Sequence, residues 1–332
     1  MSIEVIRPGL LTTVQDLGRF GYQRFGVVAG GVMDDWAPRL ANAAVGNDER
    51  DATLEITLQG PVLRFDEPAL VAVCGAELSP QIGGEPFPQG RPVLVRAGAV
   101  LEFHAGENGC RAYLAVRGGF QVPVVMGSRS TYIRAALGGL EGRALRKGDR
   151  LPVTAYAPGW YPALDQALAA GGQPFAAPRW SVGFTAVPGR ARRVRVVQGP
   201  QWELFSQETR ELFLGTEFGV SVNSDRMGYR LTGAILKLRR PAEMISEAVT
   251  FGTVQVPPDG NPIILMADRQ TTGGYPKIAH VAAVDLPRLA QTRPLERFAF
   301  ELVTLAEAQE TYLARERELV RIREAIDFQR RQ

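Results

Sequence analysis

The sequence contains few of the side chains on which common catalytic and metal-binding sites depend. Among its 332 residues there are two cysteines, Cys74 and Cys110, and two histidines, His104 and His280. Two cysteines exclude a disulfide framework and a cysteine-rich zinc site, and they fit a reducing compartment. Two histidines leave little scope for a histidine-rich metal site or a Ser-His-Asp arrangement, so we expect no metal site.

Long apolar runs and a strong charge of one sign are also absent. No stretch approaches the roughly 18 apolar residues of an ordinary membrane-spanning helix. The first residues, MSIEVIRPGLLTTVQD, carry Glu4 and are interrupted by Pro8 and Gly9, unlike a secretory signal. The formal net charge is +3, which is too small to favour nucleic-acid binding. We therefore expect a cytoplasmic protein with neither a membrane nor a nucleic-acid partner.

Several motifs of nucleotide and cofactor chemistry are missing as well. The chain has no G-x-x-x-x-G-K-[ST] loop, no G-x-G-x-x-G after a strand, no G-x-S-x-G turn and no H-E-x-x-H. It also has no lysine between two methionines, which is the usual form of a biotin attachment site. We therefore expect neither a nucleotide loop of these types nor attached biotin in this chain.

The sequence does have many turn residues and many short apolar segments. Its 36 glycines and 23 prolines separate segments that have the length and composition of β-strands. Leu54, Ile56 and Leu58 alternate with polar residues, as in a strand with one buried face. The segments that fit are SIEVIRPG, ATLEITLQGPVLRF, ALVAVCGAEL, PVLVRAGAVLEFHAG, CRAYLAVRGGF, GDRLPV, RRVRVVQGP, GYRLTGAILKL and TVQVPPDGNPIILMAD. They predict a mainly β protein, a sandwich or a barrel.

Three segments are predicted to be helical. DDWAPRLANAAVGN offers Asp35 as an N-cap, has Pro38 in its first turn and stops at Gly46. PQWELFSQETRELFL has apolar residues near helical spacing, with Ser206 as a point where it can divide. LAEAQETYLARERELVRIREAIDFQRRQ predicts a long amphipathic helix that covers a sheet or docks on a partner.

The chain is predicted to contain two β-rich halves, each a barrel, and a C-terminal helix. The segment YAPGWYPALDQALAAGGQPFAAPRWSVGF is rich in Pro, Gly and Ala, and we interpret it as the connection between the halves. We place the N-terminal half at residues 1–185, the C-terminal half at 186–304 and the helix at 305–332.

Two segments of the C-terminal half carry polar groups that could hold a ligand. In SDRMGYRL, Arg226 and Arg230 share a face of an extended chain beside Tyr229, so both guanidiniums could meet one anion. A hairpin turn with surface arginines is the alternative. Further along, Glu243 lies beside an apolar pair and near Ser246, which makes it a candidate acid or base. A helix-cap or surface role is the alternative for that glutamate.

The N-terminal half has a comparable set of polar residues. Asp16 and Arg19 lie in a glycine-punctuated segment, and Asp34 precedes the first predicted helix. The N-terminus of that helix could stabilise an anion. A loop between strands, without a ligand, is the alternative.

The most unusual stretch is DRQTTGGYPKIAHV, Asp268–Val281, which follows an apolar strand. Its threonines and its glycine pair predict a loop whose hydroxyl and backbone N–H groups could cradle a carboxylate or phosphate. Lys277 and His280 would add a cation and a titratable group. A polar turn without a ligand is the alternative.

Six segments occur in an order that is more specific than any one of them. They are GVMDDWAPRLANAAVGN, LEITLQGPVLRF, CRAYLAVRGGFQVPVVMGSRST, SDRMGYRLTG, VQVPPDGNPIILMADRQTTGGYPKIAHV and DLPRLAQTRP. Together they resemble the biotin-dependent carboxyltransferase family, also called allophanate hydrolase subunit 2, over about residues 3 to 305. Members of that family include the C subunit of 5-oxoprolinase, the KipA protein and a carboxyltransferase module of urea carboxylase.

The resemblance implies a fold, a reaction and partners. It implies a cyclophilin-like β-barrel architecture and ATP-dependent opening of 5-oxo-L-proline to L-glutamate, with ATP bound by a complex rather than by this chain alone. The implied partners are the B subunit of 5-oxoprolinase, which is KipI-like, and the A subunit, which is LamB/YcsF-like. The alternatives are a carboxyltransferase component of a biotin-dependent urea or amide carboxylase, and a non-catalytic KipA-like regulator that binds a KipI-like partner.

A small cyclic amide that bears a carboxylate needs groups that bind the carboxylate and groups that position water or an intermediate. The catalytic candidates are Asp268, Lys277 and His280. The substrate-binding candidates are Arg226, Tyr229, Arg230, Gln270, Thr271, Thr272, Gly273, Gly274 and Tyr275. Further candidates are Glu243, Ser246, Asp16, Arg19 and Asp34.

Overall fold

The chain folds into two compact units. The computed structural model describes residues 1–183, 193–240 and 244–331. The first unit comprises Met1–Gly18, Asp34–Val187 and Arg317–Gln332, and the second comprises Arg19–Met33 and Pro188–Glu316. The predicted boundary near residue 185 lies outside the described residues. The fold is mainly β, as predicted.

In the described part of the first unit, twelve strands form two sheets. The strands are β1 (Ser2–Arg7), β2 (Leu11–Gln15), β3 (Thr53–Thr57), β4 (Val62–Phe65), β5 (Ala69–Glu77), β6 (Gln81–Ile82), β7 (Glu85–Pro86), β8 (Val93–Val95), β9 (Val100–Glu102), β10 (Asn108–Val116), β11 (Arg150–Pro152) and β12 (Phe175–Ala176). One six-stranded sheet has the order β11-β1-β4-β9-β6-β7, and the other has the order β12-β8-β5-β10-β3-β2. Apolar side chains from both sheets, such as Leu63 and Leu54, form one buried cluster.

The first helix, α1 (Ala37–Ala44), packs on β5 and β10 of the first unit. The prediction that Asp35 caps it was wrong. The Oδ1 atom of Asp34 accepts hydrogen bonds from the backbone N–H groups of Trp36, at 2.8 Å, and Ala37, at 3.0 Å. Asp34 therefore satisfies donors at the start of the helix that have no partner within it.

The segment interpreted as a connection contains regular structure within the first unit. Helix α2 (Pro162–Ala170) forms in its alanine-rich portion, and β12 pairs with β8. Alanine is the best helix former, which outweighs the flanking turn residues. The Arg96 Nε atom also donates to the Gln173 carbonyl at 2.7 Å and holds the segment to the first unit.

The second unit contains a closed seven-stranded barrel with the strand order β13-β20-β17-β18-β15-β14-β21. The strands of this unit are β13 (Arg193–Gln198), β14 (Glu217–Val220), β15 (Gly228–Thr232), β16 (Glu247–Ala248), β17 (Thr253–Gln255), β18 (Ile263–Leu265), β19 (Thr272–Gly273), β20 (Lys277–Val281) and β21 (Arg297–Leu302). Strands β16 and β19 pair separately as a two-stranded ribbon. The buried cluster of this unit includes the stacked rings of Phe213 and Phe300.

Two helices of the second unit lie between barrel strands in the sequence, one between β13 and β14 and the other between β20 and β21. Helix α3 (Gln207–Gly215) follows a short 3-10 turn at Trp202–Leu204, and the division falls at Ser206 as predicted. The Ser206 Oγ atom accepts from the Thr209 N–H at 3.2 Å, as an N-cap does. Helix α4 (Leu286–Gln291) was not predicted from the sequence.

The C-terminal helix, α5 (Leu305–Arg331), was predicted correctly. It begins with a capping box, because the Glu307 carboxylate accepts from the Thr304 N–H at 2.8 Å and Thr304 Oγ1 accepts from the Glu307 N–H at 3.2 Å. In its final portion, Leu319 and Ile326 are buried. Within the described ranges, no helix has the length and apolar character needed to cross a membrane.

Candidate functional site

Asp268 and Arg226 form a buried, two-point ion pair in the second unit. Arg226 Nε donates to Asp268 Oδ2 at 2.9 Å, and Arg226 Nη2 donates to Asp268 Oδ1 at 3.0 Å. The same Nη2 atom donates to the Gly31 carbonyl at 2.5 Å. Because both carboxylate oxygens are engaged and both side chains are buried, the geometry favours a positioning role for Asp268 over a catalytic one.

The expected pairing of Arg226 and Arg230 on one anion is not found. Arg226 lies in the turn before β15 and is buried against Asp268, whereas Arg230 lies within β15 and is exposed. Tyr229, between them in sequence, packs into the core of the barrel. The alternation expected for an extended chain fails here because the strand begins only at Gly228.

The expected ligand-cradling loop at residues 271 to 274 is also not found. Thr272–Gly273 forms strand β19, which pairs with Glu247–Ala248, and we call these four residues the cover ribbon. Neither Gly273 nor Gly274 has a positive φ angle. A Cβ atom at Gly273 would lie 2.4 Å from Gln255 Nε2, so a larger residue there would have to displace the Gln255 amide.

The remaining candidates of this stretch surround the cover ribbon. Gln270 and Thr271 are half-buried, and Thr272 and Tyr275 are exposed. Ser246 is exposed, and its Oγ atom lies 3.2 Å from where a Cβ of Gly274 would be. Glu243 lies outside the described residues.

Lys277 and His280 lie on the same face of the barrel wall because of a β-bulge. Gln255 is paired with Lys277 and Val254 with Ala279, so Ile278 is the extra residue on β20. Thr253, two residues from Gln255, is paired with His280. Side chains two residues apart share a face of a strand, so the pairs Gln255–Lys277 and Thr253–His280 face the same way. This face is opposite the core-facing Val254 and Ala279.

The ammonium group of Lys277 is buried beneath the cover ribbon. Its side chain is 3% exposed, and Nζ donates to Glu247 Oε2 at 2.6 Å. The Lys277 backbone N–H donates to Gln201 Oε1 at 3.1 Å. The pKa of Glu247 is lowered by the hydrogen bond from Lys277 and the charge of Lys277, with a further contribution from a hydrogen bond that the Gln201 side chain donates. Glu247 is therefore an ionised carboxylate held by a buried cation.

His280 is positioned as a neutral imidazole. Its Nδ1 atom lies 3.2 Å from Thr253 Oγ1. Burial lowers the pKa of His280, and the positive charge of Lys277 lowers it further. No hydrogen-bond partner of Nε2 is found among the described residues, so this nitrogen could accept a proton from water.

Asp16 in the first unit holds a loop together rather than facing open space. Its Oδ1 atom accepts from the hydroxyls of Ser128 and Ser130, each at 2.6 Å, and from the Gly18 N–H at 2.8 Å. Its Oδ2 atom accepts from the Arg129 N–H at 2.5 Å. These contacts saturate the carboxylate, so the alternative of a structured loop fits Asp16 better than an anion site.

Of the other two N-terminal candidates, Asp34 caps α1, as described above, and Arg19 is buried in the second unit. The Arg19 N–H donates to the Ala29 carbonyl at 2.8 Å. No cluster of three or more His, Cys, Asp or Glu side chains suited to a metal occurs in the described part of the chain.

Sequence reasoning missed two features of buried polar chemistry. Gln255 contacts the cover ribbon, and Gln201 contacts Lys277. Neither was predicted as a site residue, because each is a lone amide in an apolar or mixed context. In the first unit, the row Thr13, Glu55, Tyr113 and Cys74 crosses four neighbouring strands. Alternation at Glu55 was the available signal for this row.

That row in the first unit is fully buried and hydrogen-bonded. The Tyr113 hydroxyl donates to Glu55 Oε2 at 2.8 Å and accepts from the Asp34 N–H at 3.0 Å. Burial, followed by the charge of Glu55, holds the pKa of Tyr113 well above its usual value. The hydroxyl therefore stays protonated, which suits a structural donor.

Comparison of the sequence with models of known families identifies the family of this chain. A family model described as carboxyltransferase domain, subdomain A and B, matches residues 25–302. The chain belongs to this carboxyltransferase family. The family predicted from the six ordered segments is thereby confirmed, and the matched range includes the cover ribbon, Lys277 and His280.

Two curated relatives of this carboxyltransferase-family chain match most of its length and most of their own. It is 39% identical over 325 residues to the 5-oxoprolinase C subunit of Haemophilus influenzae, covering 98% of this chain and 99% of the relative. It is 38% identical over 306 residues to the 5-oxoprolinase C subunit of Escherichia coli, covering 92% and 93%. Relatives of this name support the role of a subunit in an enzyme complex.

A solved structure of the family shares the whole fold. The crystal structure of the Kluyveromyces lactis urea amidolyase superposes with a TM-score of 0.85 at 31% identity. The match covers 97% of this chain but 20% of the amidolyase. This chain therefore corresponds to one part of that much larger protein.

Proposed function

We propose that this chain is the C subunit of a 5-oxoprolinase, which opens 5-oxo-L-proline to L-glutamate in an ATP-dependent reaction. The observation that carries the proposal is the end-to-end match, 98% of this chain and 99% of the Haemophilus influenzae protein. The match to the urea amidolyase, by contrast, covers 20% of that protein. The partners we propose are the KipI-like B subunit and the LamB/YcsF-like A subunit of the same enzyme.

The chemistry of Lys277 and His280 suits this substrate. 5-Oxoproline has a carboxylate and a cyclic amide, and its opening requires water to add to the amide carbon. Lys277 supplies a buried cation for an oxygen anion. His280 supplies a neutral imidazole that could take a proton from the attacking water. Arg226 and Asp268, which are occupied with each other, would hold the surrounding turns in place.

We assign ATP to the complex rather than to this chain. The sequence has no glycine-rich phosphate loop, and the glycine pair at 273 and 274 belongs to the cover ribbon and its edge, where Gly273 packs against Gln255. We expect the assembled enzyme to act in the cytoplasm and this chain alone to be inactive.

A second candidate is a carboxyltransferase component for urea or another amide, favoured by the TM-score of 0.85 with urea amidolyase. Such a component needs a biotinylated carrier protein and a biotin carboxylase as partners. The given residues contain no lysine between two methionines, so biotin would be attached outside them.

The test is reconstitution with the purified LamB/YcsF-like and KipI-like subunits. We expect 5-oxoproline and ATP to yield glutamate only when all three proteins are present, measured by glutamate release and ADP formation. Activity of the other two proteins without this chain, or no activity of all three, would reject the proposal. Transfer of a carboxyl group from a carboxylated biotin carrier to urea would support the second candidate. Tight binding to the KipI-like protein without any turnover would indicate a KipA-like regulator.

A further inference from the structure

The Lys277 ammonium group has more hydrogen-bond donors than the structure gives it acceptors. A lysine ammonium carries three N–H donors. Among the described residues, its Nζ atom meets a single acceptor, Glu247 Oε2 at 2.6 Å. Because the side chain is 3% exposed, bulk water cannot readily supply the other acceptors.

Its cross-strand neighbour, Gln255, has the same imbalance. Gln255 is 1% exposed, and its Nε2 atom is buried with no hydrogen-bond partner in the described part of the chain. Gln255 and Lys277 are directly paired between β17 and β20. Two under-used donor groups thus lie side by side on one face of the barrel wall, and an acceptor-rich ligand would satisfy them.

The cover ribbon lies over these donors, and its Glu247 side chain is exposed. Glu247 and Gly273 are paired with each other in the cover ribbon, and they contact Lys277 and Gln255 respectively. Glu247 is 53% exposed, and its neighbour Ile245 is 86% exposed. A ribbon of two residue pairs has little stability of its own. The exposed Glu247 side chain can rotate into solvent, and this rotation would free the ammonium group.

We propose that Lys277, Gln201 and Gln255 form a binding site for a small carboxylate, and that the Glu247 carboxylate occupies this site until the ligand displaces it. Glu247 shows where the carboxylate of the ligand binds, since its Oε2 atom already contacts Nζ and its charge is stabilised by Lys277 and Gln201. If the proposed function holds, on which this identification of the ligand rests, the ligand is 5-oxo-L-proline. Gln255 then binds a second acceptor oxygen of the ligand once Gly273 moves away.

The test measures binding to the full chain by titration calorimetry at pH 7. The probes are 5-oxo-L-proline, 2-pyrrolidinone, which is the same ring without the carboxylate, and inorganic phosphate. We expect 5-oxoproline to bind and 2-pyrrolidinone and phosphate to bind at least about tenfold more weakly, because a charge-assisted hydrogen bond is lost or poorly formed. Equal binding of 2-pyrrolidinone, or tighter binding of phosphate, would overturn the carboxylate assignment.

Substitution of the covering carboxylate is the decisive variant. Glu247→Gln removes the competing charge from an exposed position and should tighten 5-oxoproline binding by about tenfold, whereas Lys277→Met should abolish it. The matched control is Glu217→Gln, since Glu217 is a similarly exposed carboxylate, on β14, paired with Arg297 at 3.6 Å. That control should leave binding unchanged. An unchanged affinity in Glu247→Gln would contradict the proposal even if Lys277→Met failed to fold.

The outcomes separate this site from the proposed function. If the reconstituted complex releases glutamate but the chain does not bind 5-oxoproline, the function stands and the site assignment falls. If the chain and its Glu247→Gln variant bind the probe as expected while the complex is inactive, the carboxylate site stands and the 5-oxoprolinase assignment falls.

Discussion

Lys277 and His280 are three residues apart on one strand and nevertheless share a face of the barrel. The bulge at Ile278 causes this, because two residues of β20 oppose one step of β17 between Val254 and Gln255. The positive charge of Lys277 is consequently close enough to lower the pKa of His280. Without that extra residue, the two side chains would lie on opposite faces of the strand.

The titration of His280 tests this relationship directly. In a His104→Gln background His280 is the only histidine, so its ring protons can be followed by NMR as the pH is lowered. We expect a pKa below the usual value of about 6.5. Lys277→Met should raise that pKa only in part, because burial is the larger cause of the shift and the charge of Lys277 the smaller. A pKa at or above the usual value in the parent background would contradict the assignment of a neutral imidazole.

The same shift has a consequence for stability. A histidine whose pKa is lowered in the folded state binds a proton more readily when unfolded, so its contribution is fully present above about pH 6.5 and is lost as the pH falls through the folded pKa. We therefore expect the free energy of unfolding in urea to fall less between pH 7 and pH 5 in His280→Gln than in the parent chain. An identical loss in the two proteins would show that His280 does not take part in the pH dependence.

The buried ion pair of Arg226 and Asp268 should be worth more to stability than an exposed one. Asp268→Asn leaves the Arg226 guanidinium buried without its carboxylate, which should cost about 3–5 kcal/mol in the free energy of unfolding. The control is Glu217→Gln, which breaks the exposed pair with Arg297 and should cost about 0–1 kcal/mol. Urea unfolding measures both. Full stability in Asp268→Asn, combined with loss of activity in the reconstituted complex, would restore Asp268 as a catalytic residue.

The elements that were predicted correctly have signals that are local in the sequence. Ser206 divides a helical segment because its own side chain caps the following turn, and Thr304 and Glu307 start the last helix through contacts three residues apart. The prediction of Asp35 as a cap failed by one residue, because Asp34 and Asp35 are the same residue type and only the backbone path selects between them. Helix α2 was not predicted, because the prolines and glycines around its alanine-rich segment indicated a loop.

The candidate site was less predictable because its parts meet through tertiary contacts. Arg226 and Asp268 are 42 residues apart, and no local pattern indicates that their side chains pair with each other. Gln255 is 1% exposed and is approached by Gly273 of the cover ribbon, which is distant in sequence. Strand alternation alone would have separated Lys277 from His280. The sequence therefore indicated the stretch Asp268–Val281, which contains Lys277 and His280, but it assigned Gly273 to a loop where the structure has a paired strand.

The close approach of Gly273 to Gln255 predicts a sensitive position. A Cβ atom at residue 273 would lie 2.4 Å from Gln255 Nε2, so Gly273→Ala must displace a buried amide and should cost about 1–3 kcal/mol in the free energy of unfolding. The control is Gly274→Ala, where the nearest atom is Ser246 Oγ at 3.2 Å and a smaller loss is expected. In Gln255→Ala the penalty of Gly273→Ala should largely disappear, which a double-mutant cycle measures. Additive losses in that cycle would show that the two residues do not interact.

Trp160 holds the end of the C-terminal helix to the rest of the first unit. The guanidinium of Arg117 lies 3.6 Å from the centre of the Trp160 ring, and that of Arg330 lies 4.5 Å from it. Arg330 Nη1 also donates to the Trp160 carbonyl at 3.4 Å, a long hydrogen bond, so the ring contact is the stronger link. Contacts of this kind contribute about 0.5–2 kcal/mol.

Trp160→Ala should therefore release the last turns of α5 before the rest of the chain unfolds. Limited proteolysis should cut this variant near Arg330 faster than the parent protein, with cleavage followed by mass spectrometry. Trp160→Phe should restore part of the protection, because a phenyl ring binds a guanidinium more weakly than an indole does. Phe328→Ala, which removes a side chain that is 62% exposed on the same helix, should cleave at the parent rate. Equal cleavage of Trp160→Ala and Phe328→Ala would mean that the helix end is held by the buried Leu319 and Ile326 rather than by the arginine contacts.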